Sequence, residues 1–465
     1  MKKSRYLRQY IGLVLAVLSL GITWFLKVDG LSTQAMRTLG VLAATLFLQM
    51  FETFNLCISC LVSSVLLLML GCVGNIGEAF SGYANHVLYF TIASFGISAA
   101  FQKSVLSRKL LGLLMRGKKL TVRKVTFTFM VCAAILSSMM SNVAAVVIFL
   151  PYLDQFLEFY RDPDVRKRSS RSMNICLVVS AMIGGIITPA GSSVNLIGLD
   201  LMQAHAGIQI RFVDWMAFGA PLAAVMLVIA FAIITAIYKP AEPEEEELQA
   251  FIRHVQNTPR ATAKDIYIGV LIVATLAIWV LSSWFPAINI TAVAVISFAL
   301  LFIPGMEVLT WEEFSVVNSW NAFFVAGNHI TLASVAISTG LCNFITTVIF
   351  GSSTGLSVIP MLMLVAAVTF VFMAIIPSAP AVATILVPIL ITYAASANVS
   401  PILLFMVSIL CIPNIYLFPL DAPLVVAYDR KAFTMFELPK ATVWIQLVMI
   451  VVASLLVYGM YQIIY

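Results

Sequence analysis

Long apolar runs, each about the length needed to cross a bilayer, alternate along this chain with short polar or glycine-rich joints. The runs at residues 10–26, 34–52, 56–73, 87–115, 174–199, 215–238, 267–284, 290–303, 321–350, 401–428 and 442–465 read as spans, since roughly 20 apolar residues in a helix cover the hydrocarbon core. Two further stretches differ. The run at 125–160 is too long and too interrupted for one span, and 358–395 is flanked by the charge-poor turns GSSTGLS and ASANVS. Glycine, proline and small polar residues inside several runs predict broken helices, or hairpins that enter and leave by one face. The pattern predicts an all-α polytopic membrane protein with about eleven transmembrane helices and two re-entrant hairpins. It lacks the roughly 10-residue alternation of a membrane β-barrel.

Composition supports a membrane class. Of 465 residues, 61% are hydrophobic and 10% charged, against roughly 25% charged in soluble domains. The net charge of +6 is a topology signal and gives no footprint for a nucleic acid. Basic residues gather at the N-terminus (Lys2, Lys3, Arg5, Arg8), at 103–124 (Arg108, Lys109, Arg116, Lys118, Lys119, Arg123), at 160–171 (Arg161, Arg166, Lys167, Arg168, Arg171) and at Arg430-Lys431. The positive-inside rule places these in the cytoplasm, so the N-terminus is expected inside and Arg116 and Arg168 are expected to label from that side. The run at 10–26 has no A-x-A-like cleavage site and reads as a first span. A multi-pass protein of the cell membrane follows.

The stretch KPAEPEEEELQAFIRHVQNTPRATAKD, residues 239–265, is the most polar interior segment, and its acidic run reads as the solvated face of a cytoplasmic linker. It divides the chain. Residues 1–33 form an N-terminal span, 34–238 a first repeat with a cytoplasm-facing hairpin, and 266–465 a second repeat with an outside-facing hairpin. SNVAAVVIFLP (141–151) and SAPAVATILVP (378–388) share S-x-x-A-x-x-x-I-x-x-P. WMAFGAP (215–221) echoes FTMFELP (433–439), and Asn85 and Asn321 stand at matching distances before Ser141 and Ser378. An inverted repeat with broken helices is a mark of secondary transporters, with the site near the midplane. It also accounts for Ser137, Ser141 and Asn142 in an otherwise apolar run. A tip buried in protein exposes helix N-terminal N–H groups to an anion, while hydroxyl and amide oxygens suit a small cation.

Other chemistry is thinly represented. Cys57, Cys60, Cys72, Cys132, Cys176, Cys342 and Cys411 lie in or beside apolar runs and read as buried small hydrophobes. No Walker or Rossmann fingerprint is present, which argues against transport driven by this chain's own ATP hydrolysis. His86 and His205 lie near span ends, His254 in the linker, and His329 within a span, where a neutral packing histidine and a proton relay are both open. A channel would want a ring of repeated polar residues, and an enzyme a nucleophile–base pair or metal cluster.

The motifs GLSTQAMRTLG (30–40), FETFNLCISCLVSSVLLLMLG (51–71), SNV (141–143), GGIITPAGSSVN (184–195), IRFVDWMAFGAPL (210–222), WEEFSVVNSWNAFFVAGN (311–328), TGL (339–341) and SAPAVATILVPIL (378–390), in this order, resemble the divalent anion:sodium symporter family. That family carries dicarboxylates, citrate or sulfate. The resemblance implies a first sodium site at Ser137, Ser141, Asn142 and Gly191. It implies substrate contacts at Asn142, Val143, Ser192 and Ser193, with Asn195 supporting the broken helix. By the same carry-over, Ser378, Ala379, Pro380, Ala422 and Pro423 occupy the second substrate-facing positions. Here the chain departs from the family. Its Ser-Asn-Thr tip becomes Ser378-Ala379-Pro380, the polar residue four earlier is Ala374, and Ala422 and Val425 replace a threonine and an asparagine. Val143 replaces a threonine at the first tip. Asp421 stands where the family has a small residue beside its second cation, and an intramembrane acid is a functional candidate by default.

A secondary active transporter of small organic anions, foremost dicarboxylates, is therefore expected. It would work by elevator-type alternating access, with sodium as coupling ion, no other cofactor, lipid around it, and a homodimer as in the family. The departures leave open a proton-coupled carrier, because burial disfavours the charged form of a carboxyl group. They also leave open a sodium-independent exchanger of a different anion.

Overall fold

A computed structural model describes the backbone of every residue except 1, 116–120, 258, 318–319, 352, 354, 377, 415–416 and 418–420. Arg116, whose labelling the charge pattern anticipates, and its neighbours Lys118 and Lys119 lie outside the described residues. The described chain is all-helical, with no strand among the described residues. Six described helices are long and apolar enough to cross a membrane: Tyr6–Phe25, Phe212–Ile237, Ala263–Leu281, Val358–Ile375, Ala379–Ala397 and Glu437–Ile464. A seventh candidate is the bent pair Trp320–Ser338 and Leu341–Phe350, which turns by 81°. Gly340 sits at that turn with φ +81°, a conformation that costs glycine nothing and most residues a steric clash.

Several apolar runs are interrupted as the sequence anticipates. The run at 125–160 becomes Val122–Ser137, a four-residue turn, and Asn142–Glu158. Residues 358–395 become Val358–Ile375 and Ala379–Ala397. The 174–199 run breaks between Pro163–Gly184 and Ser193–Ala206, and the 401–428 run between Pro401–Cys411 and Ala422–Asp429. The arms at the first turn have 16 and 17 residues and those at the second 18 and 19. Proline lies inside the second arm of each pair, at Pro151 and Pro388, where it removes one backbone donor and leaves the carbonyl four residues earlier without its usual partner.

Two compact units interleave along the sequence. The first comprises Met1–Ile92, Leu196–Gln209 and Ser319–Ile412. In it Ser32 caps Thr33–Met50, accepting from the Ala35 N–H at 3.1 Å. Helix Thr33–Met50 packs on Lys2–Phe25, brought close because a methyl group at Gly40 would stand 2.0 Å from Thr23 Oγ1. Val41, Leu67, Cys72, Leu332 and Val335 form part of its core.

The second unit comprises Ala93–Asn195, Ile210–Asn318 and Pro413–Tyr465. Helix Val122–Ser137 packs on Pro163–Gly184, with Gly184 so tight that a methyl group would lie 2.4 Å from the Ala134 backbone. Within 239–265 a helix, Glu245–Gln256, buries Leu248, Phe251, Ile252 and Val255. The acidic residues Glu244, Glu245 and Glu246 are exposed, as expected of a solvated face. The opposite face of the same segment is part of the core.

Candidate functional site

The first tip is assembled within the second unit. Helix Val122–Ser137 stops at a run of two serines and two methionines, and Ser141 restarts the chain as an N-cap in extended conformation. Its Oγ accepts from the Ala144 N–H at 3.2 Å, the bond that makes serine a favoured residue there. Across the turn Ser137 Oγ donates to Asn142 Oδ1 at 2.6 Å. Both arms are therefore pinned to each other at their meeting point by side chains that carry oxygen.

The broken helix lies against this tip. Residues 185–192 separate its halves, and two glycines there lie in close contact with their neighbours, Gly185 with a side chain and Gly191 with backbone. A methyl group at Gly185 would stand 2.4 Å from Asn142 Oδ1, and one at Gly191 would stand 2.6 Å from the Gly185 carbonyl oxygen and 2.9 Å from that of Ser137. Thr188 donates to the Ser138 carbonyl and accepts from the Ala190 N–H at 3.1 Å. Asn195 Nδ2 donates to the carbonyls of Gly185 at 2.8 Å and Thr188 at 3.1 Å. Its Oδ1 is buried with no hydrogen-bond partner among the described residues.

The geometry sorts the candidates into two layers. Ser137 and Gly191 are buried, whereas Ser141, Asn142, Val143, Ser192 and Ser193 are half-buried. Ser192 Oγ accepts from the Val194 N–H at 3.4 Å, and Ser193 opens the second half-helix. The buried carbonyl oxygens of Ser137 and Gly185 converge at Gly191, and half-buried Asn142 reaches in from the outer layer with its Oδ1 beside Gly185; oxygen donors of this kind suit a hard cation. The outer layer offers a helix N-terminus, hydroxyls and an amide, suited to a carboxylate. Gly185 and Thr188 were not singled out from sequence. Their signal is the crowding of small residues in GGIITPAGSS, where backbone carbonyls and side chains share the same few ångströms.

The second-half candidates are divided. Ser378, Ala379 and Pro380 belong to the first unit, and Asp421, Ala422 and Pro423 to the second. Ser378 is the N-cap of Ala379–Ala397 and its side chain makes no cap bond; Pro377 beside it lies outside the described residues. Asp421 is half-buried at the N-cap of Ala422–Asp429, again with no side-chain cap bond. That helix packs against Asn142–Glu158 and Pro163–Gly184. Arg430 pairs with the carboxylate of Asp154. His329, in the first unit, is buried with Nδ1 2.8 Å from the Val325 carbonyl oxygen one turn back, and its Nε2 has no hydrogen-bond partner among the described residues. Among the described residues no group of three or more His, Cys, Asp or Glu could hold a metal ion.

Apolar helices of membrane-crossing length, with a broken helix packed against a polar hairpin tip, fit a multi-pass membrane transporter. The chain belongs to the sodium:sulfate symporter family, whose transmembrane region it matches over residues 7–464. It is 25% identical to the sodium-dependent dicarboxylate transporter SdcS of Staphylococcus saprophyticus, over 98% of this chain and 92% of that one. It is 22% identical to the L-tartrate/succinate antiporter of Escherichia coli K12, over 70% of this chain and 68% of that protein. The fold is similar to the crystal structure of the Alcanivorax borkumensis YdaH transporter, with a TM-score of 0.55, 12% identity and 98% of each chain covered.

Proposed function

We infer that this protein is a secondary active transporter of small dicarboxylates, driven by sodium bound at the first tip. The observation that carries the reading is the convergence of Ser137, Asn142, Gly185 and Gly191 within the second unit, next to half-buried donors that a carboxylate can reach. A relative named for sodium-dependent dicarboxylate transport, similar along nearly the whole chain, supports it. In this reading Ser137, Ser141, Asn142 and Gly191 hold sodium as cargo. Asn142, Val143, Ser192 and Ser193 meet one carboxylate, and by the sequence resemblance the family's second substrate-facing positions fall at Ser378, Ala379, Pro380, Ala422 and Pro423. The two halves, 34–238 and 266–465, act as inverted repeats with an elevator-type exchange of access, in a homodimer of the plasma membrane. The N-terminus and the segment 239–265 are cytoplasmic, so Arg168 labels from inside.

The second tip favours a second reading. Ala374, Ala379, Pro380, Ala422 and Val425 supply no side-chain oxygen, and Asp421 is the one acid in the sequence between residues 401 and 428. An antiporter is among the similar proteins. In this reading the chain exchanges one anion for another, or couples to protons through Asp421. Succinate uptake into proteoliposomes, measured against a sodium gradient, a pH gradient and internal succinate, tests both. A saturable, sodium-driven uptake that Asp421→Asn leaves unaltered supports the first reading. Uptake that ignores sodium and requires internal anion supports the exchanger. Loss of pH dependence in Asp421→Asn supports proton coupling, and no saturable uptake of any carboxylate overturns the proposal.

A further inference from the structure

Residues 239–256 lie across the open base of the first hairpin and bind both of its arms. Glu242 accepts the Val122 N–H at 2.8 Å, capping the first arm where helical N–H groups have no partner of their own. Just past the second arm, Tyr160 OH donates to the Ala241 carbonyl at 2.8 Å, and Arg161 pairs with Glu247 at 3.0 Å and Glu244 at 3.4 Å. The Ala241 N–H reaches Ser169 Oγ on the following helix at 3.1 Å. Between the arms stands Phe251, fully buried. Its ring centroid is 4.9 Å from Phe156 and 6.0 Å from Phe159 on the second-arm side, and 6.4 Å from Phe129 on the first. At the far end, Gln256 donates to the Met115 carbonyl at 3.1 Å, and Arg108 to that of His254.

We propose that this segment is a clamp on the first hairpin and that Phe251 is a positioning residue for its tip, an inference that rests on reading that tip as the transport site. The first arm, Val122–Ser137, is a continuous helix with no internal proline, and the second is tied to it by a four-residue turn and the Ser137–Asn142 bond, so a slip at the base is carried to the tip. The second arm needs such support. Pro151 removes a backbone donor part-way along it, leaving that helix easier to bend. From Phe156 to Asn142 is roughly 21 Å, 14 residues at about 1.5 Å each. A displacement of a fraction of an ångström at the tip is enough to degrade ligand geometry.

The test compares the full-length wild type with Phe251→Ala and the conservative Phe251→Leu, and takes Glu246→Gln on the exposed face of the same helix as a control. Hydrogen exchange is read at amides 140–146, and succinate uptake is read as the half-saturating concentration and the maximal rate. Phe251→Ala is expected to raise exchange at the tip and to raise the half-saturating concentration roughly tenfold, as misplaced ligands do, with the maximal rate within about twofold. Phe251→Leu should recover most of both, and Glu246→Gln should change neither. Exchange that rises only within 239–256, or a maximal rate that falls in step with folded protein at constant half-saturation, overturns the proposal and leaves Phe251 a packing residue. If Phe251→Ala does not fold, Glu242→Gln, which weakens the cap on the first arm, carries the same tip readout. A wild type without carboxylate uptake would sink the transport reading, while exchange at the tip would still decide the clamp.

Discussion

At the first tip Ser141 caps the second arm with its side chain and Ser137 donates to Asn142 across the turn. At the second, Ser378 holds the same N-cap position with no side-chain cap bond, and Ala379-Pro380 follow it. Both tips present the N-terminus of a helix, and with it the dipole end that attracts an anion. Among the described residues, the first alone adds a hydroxyl–amide pair and, from Gly185 and Ser137, converging carbonyls. The difference separates two requirements that a symmetric transporter would meet twice. Anion attraction belongs to the backbone and survives the loss of polar side chains, whereas cation binding depends on oxygens that only particular residues supply.

That asymmetry can be broken experimentally. The largest effect is expected from Asn142→Ala, which removes the oxygen held by Ser137. Succinate uptake should fall by roughly 100-fold or more, as it does when positioned groups are lost, with surface expression unchanged; Ser378→Ala at the other tip should cost less than about tenfold. Equal losses at both would show that the tips are equivalent. Gly191→Ala comes next. A methyl group there meets two carbonyl oxygens at 2.6 and 2.9 Å, both backbone, so about 1–3 kcal/mol of stability should go. The sodium concentration for half-maximal uptake should rise more than that for succinate, and a titration in which both rise alike would remove Gly191 from the cation layer. The smallest effect concerns the caps. Ser141→Ala should lower stability by about 1 kcal/mol, read as a shift in thermal melting, while Ser378→Ala should be neutral within a few tenths. A matching loss at Ser378 would reveal a cap bond that forms in solution.

How far the sequence disclosed this depends on the kind of signal. The tips were legible because Ser141-Asn142 and Ser378 are polar where hydrocarbon penalises polarity, and the broken helices because glycine and proline interrupt otherwise continuous runs. The inner layer was legible only in part. Carbonyls of Ser137 and Gly185 bear no residue-type signature, since every residue has one, and only the small residues that let them approach can be read. The docked face of 239–265 was obscured by its composition. KPAEPEEEE reads as solvated, and it is, but Leu248, Phe251, Ile252 and Val255 follow at helical spacing and bury one side of the same helix. A residue-by-residue periodicity over 245–256 would have found it. The bond from Arg430 to Asp154 had no local cue, because the partners are far apart in sequence.

The interleaving of the two units has a consequence for biosynthesis. The first unit draws on Met1–Ile92 and is finished only when Ser319–Ile412 has been made. At about 5–20 residues per second, the 320 residues between 92 and 412 take roughly 15–65 s to synthesise. Throughout that interval the earliest helices lie in the lipid without the neighbours that residues 319–412 supply, and hold together through the contacts they make with one another. The Thr45–Ser63 pair, joined at 2.7 Å, lies wholly within those first residues, so this bond between two early helices needs nothing that is translated later.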